Sequence, residues 1–79
     1  MKAVITVIGK DKVGIISAVS SILAGCNVNI LDISQTIMQD IFTMVMLVDI
    51  SGMSFTFTEL SEKLESKGRE LGLYIKIQH

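Results

Sequence analysis

Apolar and polar positions follow two periods along this chain, and each stretch announces its element. Positions 2 to 8 are apolar on both parities, with Ala3, Ile5 and Val7 on one and Val4, Thr6 and Ile8 on the other. That pattern predicts a first strand that is central and covered on both sides. Ile15, Ile16, Val19, Ile22 and Leu23 then recur at helical spacing, which predicts a helix from about Val13 to about Cys26. Asp11 stands at or just before its expected N-cap. Gly25 lowers helicity in the last turn, and Asn27 suits the left-handed residue that ends a helix. From Val28 to Met38 the parities are Asn29, Leu31, Ile33, Gln35, Ile37 against Val28, Ile30, Asp32, Ser34, Thr36, a second strand. Gln39-Asp40 is a tight turn into a third strand, Ile41 to Ile50, so these two form a hairpin. The turn lacks glycine, and a bulge or a shift of one or two residues is expected there.

Ser51-Gly52 breaks the pattern. Thr56 followed three residues later by Glu59 reads as a capping box. A second helix follows, with Phe57, Leu60, Leu64 and Leu71 on one stripe and Glu59–Lys63 and Glu65–Arg69 as i,i+4 pairs. Gly68 weakens its last turn and Gly72 ends it. Leu73 to Gln78 alternate strictly, as a strand buried on one face does. The order is βαββαβ, which predicts one α+β domain over residues 1–79. Its architecture is ferredoxin-like: a four-stranded antiparallel sheet in order 2-3-1-4 with two helices on one face. The other sheet face carries Val4, Ile8, Val45 and Leu47 and needs a partner or stays exposed.

Composition sharpens this picture. The chain is 49% hydrophobic with a mean hydropathy of +0.58, high for 79 residues. A domain this small is marginally stable alone, and association buries the surplus. We therefore expect a homodimer. Cys26 is the only cysteine and His79 the only histidine, so neither an internal disulfide nor a Cys/His metal cage can form. The expectation is no metal and no cofactor. A net charge of −1 steers the chain toward neither nucleic acid nor an anionic membrane surface. The apolar runs fall well short of the roughly 20 residues of a membrane helix. Met1-Lys2-Ala3 opens no secretory signal, and a free cysteine suits a reducing cytoplasm.

Nothing here points to an enzyme. A serine nucleophile needs a positioned base, and Ser17, Ser20 and Ser21 have none nearby. The carboxylates are scattered. Cys26 sits near a helix C-terminus, where the dipole raises a thiol pKa, so it reads as a small apolar residue. The loop Gly9-Lys10-Asp11-Lys12-Val13-Gly14 is the one candidate site, and its chemistry would be recognition. Amides at the helix start can hold a carboxylate, Asp11 can hold an ammonium, and Gly14 permits close approach. The plainer use of Asp11 is as a cap and of Gly14 as an aid to packing. The loop matches neither the phosphate loop nor the dinucleotide loop.

Three blocks carry a family resemblance: Ile5-Thr6-Val7-Ile8-Gly9-Lys10-Asp11-Lys12-Val13-Gly14-Ile15, Asn29-Ile30-Leu31-Asp32-Ile33-Ser34-Gln35-Thr36, and Phe42-Thr43-Met44-Val45-Met46-Leu47-Val48-Asp49. Together they resemble an ACT domain, the small module that senses amino acids in metabolic regulation. Within that superfamily the chain is most similar to the stand-alone UPF0237 group, which is similar in turn to the ACT domains of the glycine cleavage system repressor. The resemblance implies a ligand site at a domain–domain interface, formed by Asp11, Lys12, Val13 and Gly14 with Asn29 and Ile30. Two departures stand out: Val13 replaces the proline many of these loops carry, and Asn27 replaces a glycine. The resemblance implies either an amino-acid sensor or a regulatory subunit that binds a partner protein and no small molecule. Other users of the architecture are excluded by their residues. There is no Cys-x-x-Cys pair for a copper chaperone and no loop arginine for an acylphosphatase. Nor are there strand aromatics and a basic surround for RNA recognition.

Overall fold

The computed structural model describes residues 1–10 and 13–79. Its elements are β1 (Lys2–Gly9), α1 (Ile15–Gly25), β2 (Asn29–Met38), β3 (Ile41–Asp49), α2 (Phe57–Leu71) and β4 (Tyr74–Gln78). The four strands form one antiparallel sheet in the order β2-β3-β1-β4, the α+β arrangement that the sequence predicts. Ala3, Ile5 and Val7 of β1, Phe42, Met44, Met46 and Val48 of β3, and Ile75 and Ile77 of β4 point to the helix side. There they meet Ile15, Val19 and Leu23 of α1 and Leu60 and Leu64 of α2, in one apolar core. This periodic interlock of a two-residue and a 3.6-residue stripe is what makes the layers pack.

β1 is central, but only one of its faces is covered within the chain. Val4 and Ile8 remain 36% and 38% exposed, because both helices lie on the opposite side. β2 is an edge strand, paired with β3 alone, and from Leu31 to Met38 every residue is exposed.

Several local expectations change. α1 is capped by Gly14 at φ 76°, with no side-chain cap bond. Gly14 takes the N-cap position; Asp11, expected at or just before the cap, lies outside the described residues. At the other end Asn27 takes φ 60° as expected, and its side-chain amide donates to the Gly52 carbonyl at 2.7 Å. The hairpin turn holds a clean register, with Met38 opposite Ile41, and Gln39 adopts φ 55°. A positive φ at the first central position supplies the twist such turns need, so no bulge is required there. The irregularity sits instead between Ile30 and Asp32. The extra residue, Leu31, resets the alternation. Ile30, Ile33, Gln35 and Ile37 share the helix side, while Asn29, Asp32, Ser34 and Thr36 share the open side.

α2 begins with the expected capping box. The Glu59 amide donates to Thr56 Oγ1 at 3.1 Å, and the Thr56 amide donates to Glu59 Oε1 at 2.9 Å. That use of Glu59 displaces the expected pair with Lys63, whose ammonium stands 4.8 Å from the Phe55 ring centroid. The ion pair on this helix among the described residues is Lys67–Glu70, at 3.3 Å, rather than Glu65–Arg69. Leu71 lies off the buried stripe, and Gly68 takes the place on it.

Candidate functional site

β1 delivers the chain to the candidate loop at Gly9, and α1 takes it away at Ile15. Gly9 lies against Leu73, whose side chain fills the space a Cβ would need. Gly14 is different: a Cβ there would meet nothing within 4 Å, so its left-handed φ of 76° is what favours glycine. The Ala18 amide donates to the Gly14 carbonyl at 2.9 Å, which starts the helical ladder. No acidic residue occupies the first turn. The helix start therefore presents backbone amides and a positive dipole end without a built-in anion from that turn. Asp11 and Lys12 lie outside the described residues.

Val13 and Gly14 line a depression of about 250 Å³ together with Ile15, Ala18, Lys67, Leu71 and Leu73. This volume is below that of a drug-sized pocket and suits a small metabolite. Lys67 supplies a cation at its rim, held by Glu70 at 3.3 Å. The sequence reading misses Lys67, Leu71 and Leu73, because nothing local connects the end of α2 to the start of α1. In the sequence Leu71 reads as part of the buried stripe, and only the structure shows it exposed beside the depression.

Asn29 and Ile30 lie elsewhere. Asn29 stands opposite Asp49, and Asp49 stands opposite Lys2 at the start of β1. Gly9, at the other end of β1, stands opposite Phe42. Seven residue steps at roughly 3.3 Å separate the two ends, about 23 Å of strand. The chain thus places Val13 and Gly14 at one end of the sheet and Asn29 and Ile30 at the other. It does not bring the two halves of the expected site together. Near Asn29, the Ser51 hydroxyl and amide hold the Asp49 carboxyl below the usual carboxylate range.

A larger trough, about 610 Å³, runs between α1 and α2 over Ile22, Cys26 and Phe55, with Glu62, Lys63 and Lys67 among its walls. It is the more open of the two. The smaller depression combines a helix start, a cation and apolar walls, which makes it the better candidate for a ligand. Among the described residues no group of three His, Cys, Asp or Glu side chains could hold a metal ion. Cys26 is buried. Among the described residues no helix is long and apolar enough to cross a membrane.

Comparison with known proteins gives a consistent family. Residues 2–78 match the model of the ACT domain. A UPF0237 protein of Clostridium acetobutylicum is 63% identical over 78 residues, covering 99% of this chain and 88% of that protein. Among solved structures, an ACT domain protein from Streptococcus pneumoniae superposes with a TM-score of 0.87 at 46% identity, covering 99% of this chain and 88% of that one. A structure described as a glycine cleavage system transcriptional repressor reaches a TM-score of 0.80 at 25% identity. That match covers 98% of this chain and 44% of the other.

Proposed function

The chain belongs to the ACT domain family, and from that premise we propose that it is a regulatory module, dimeric and cytoplasmic, that binds a free amino acid where two copies meet. The observation that carries this reading is the separation of Gly14 from Asn29 by the length of the sheet. A second copy, turned end for end beside the first, offers its own Asn29 and Ile30 to the loop of its neighbour. The unpaired edge of β2 leaves room for such an approach. In this reading the ligand carboxylate meets the first amides of α1, with Lys67 close by. Its ammonium meets Asp11 of the same loop or the carbonyl oxygen of an Asn29 side chain from the other copy. Both ends of an amino acid thus find complementary groups, and no bond in the ligand is broken. The module has no enzymatic role.

The exposed apolar residues of the sheet favour one alternative, a regulatory subunit that binds a partner protein and no small molecule. Thermal unfolding in the presence of each of the twenty amino acids separates the two. A ligand at 100 times its dissociation constant stabilises the folded form by about 2.7 kcal/mol, about 10–20 °C for a domain of this size. A flat response to all twenty rejects the sensor and favours the partner-binding subunit.

A further inference from the structure

The sheet face turned away from the helices divides by charge. Its centre is apolar, with Val4 on β1 and Val45 and Leu47 on β3, and Val45 is 40% exposed. Four charged residues frame that centre by their strand parity. Asp32 on β2 and Asp49 on β3 lie on one half, and Lys2 on β1 and Lys76 on β4 lie on the other. Registers fix the rows: Asn29, Asp49 and Lys2 in one, then Asp32, Leu47, Val4 and Gln78, then Ser34, Val45, Thr6 and Lys76.

We propose that this face docks on the same face of a second copy, about a two-fold axis that runs along the strands. That operation lays β2 of one copy over β4 of the other, and β3 over β1. Asp49 then comes opposite Lys2, Asp32 comes one position from Lys76, and Leu47 covers Val4. Asp49 thus meets Lys2 in both copies, beside the N-terminal ammonium of its own chain at 3.5 Å, while Asp32 falls opposite Gln78 with Lys76 in the next row. The other in-plane two-fold, across the strands, lays β2 on β2 and pairs none of these charges. Two sheets stacked in the first way keep their strands nearly aligned, as face-packed sheets do. The area is sufficient. Four strands spaced at about 4.8 Å and eight residues at about 3.3 Å make roughly 500 Å² per copy. The pair therefore buries about 1,000 Å², the threshold for a specific interface.

This contact uses neither the β1–α1 loop nor the hydrogen-bonding edge of β2; it shares only Asn29, at the end of the first row, with the proposed ligand site. It has a built-in reporter. Tyr74 is the only tyrosine in a chain without tryptophan. It lies on this face opposite Ile8, 52% exposed.

The test combines sedimentation velocity with acrylamide quenching of Tyr74 fluorescence across a dilution series. Asp32 also accepts a bond from the Ile33 amide at 2.9 Å, so the reversals begin on the basic half. Lys76→Glu and Lys2→Glu are each expected to weaken association about tenfold or more by juxtaposing like charges, without unfolding the chain. Lys76→Glu combined with Asp32→Lys is expected to restore most of the loss. Tyr74 is expected to become less quenchable as the wild type associates. A wild type that stays monomeric overturns the proposal. So do folded single reversals with unchanged association, or Tyr74 equally quenchable in monomer and dimer. The amino-acid response of the ligand site is read separately, and its absence leaves this result standing.

Discussion

Gly68 and Leu73 meet backbone to backbone. The Leu73 amide donates to the Gly68 carbonyl at 2.7 Å, and a Cβ on Gly68 would stand 2.8 Å from the Leu73 carbonyl oxygen and 3.3 Å from Ile75 Cγ1. The glycine lets α2 turn directly into β4. By helix propensity alone, Gly68→Ala should stabilise by about 1 kcal/mol. The contact reverses that sign, because the obstructing atom is backbone and overpacking costs about 1–3 kcal/mol. We expect Gly68→Ala to lower the unfolding midpoint by several degrees and Gly68→Val to lower it further. Thermal unfolding checks the prediction, and a more stable alanine variant would show that the turn yields.

Gln39 presents the opposite case. It holds φ 55° at the tip of the hairpin, a region that costs a side-chain-bearing residue about 1–2 kcal/mol. Glycine removes that strain and gives back part of it in unfolded-chain entropy. Gln39→Gly should therefore stabilise by about 0.5–1 kcal/mol, and Gln39→Val should destabilise. Thermal scans of the three proteins give the order directly.

Glu59 ties stability to pH. Its carboxylate accepts from the Thr56 amide and, by this and the Thr56 side chain, is held below the usual glutamate range. A depressed folded pKa means that the ionised group stabilises the fold above the unfolded pKa. That contribution is lost as pH falls through the folded value. Acid titration of the unfolding free energy should thus show a decline below the ordinary glutamate pKa. Glu59→Gln keeps an acceptor for the box and should shrink the decline. Asp49, lowered by Ser51, contributes in the same direction, so adding Asp49→Asn should shrink it further. Thr56→Ala, by contrast, should cost about 1 kcal/mol at neutral pH through loss of the cap. A decline unchanged in the double variant would place the acid sensitivity elsewhere.

The elements were legible because each stripe repeats often enough to declare its period: Ala3-Ile5-Val7, Ile15-Val19-Leu23 and Leu60-Leu64. Their order then left one sheet topology. What was hidden depends on single backbone residues. Leu31 breaks the alternation of β2, and a one-residue insertion exchanges the faces of everything beyond it. The clue was the three-residue spacing of Ile30 and Ile33, which a regular strand cannot put on one face. Gln39 takes a conformation its residue type disfavours, so the turn looked in need of a bulge. The N-cap position falls to Gly14 for its left-handed φ, a choice that no side-chain preference announces. The site was half legible. The loop was found because its glycines and charges are contiguous. Lys67, Leu71 and Leu73 were not, since they reach the depression only when α2 packs beside α1. The distance between Gly14 and Asn29 is a property of the sheet, and no local pattern encodes it.

That distance gives the sharpest test of the shared ligand site. Gly14→Leu fills the depression and forces a side chain into positive φ, at about 1–2 kcal/mol, so its folded fraction must be measured alongside binding. Asn29→Ala leaves the loop and the α1 cap untouched. Each variant alone should lose affinity for the amino acid that shifts the wild type. If each site takes its loop from one copy and its Asn29 from the other, a mixed dimer of the two variants holds one site with both changes and one with neither. Equal mixing after subunit exchange should then recover about a quarter of the wild-type sites, since half the dimers are mixed and each restores one site of two. Calorimetry reads that fraction as stoichiometry at unchanged affinity. If both residues served a site within one copy, mixing would restore nothing. Full binding by both folded single variants would remove the loop and Asn29 from the site altogether.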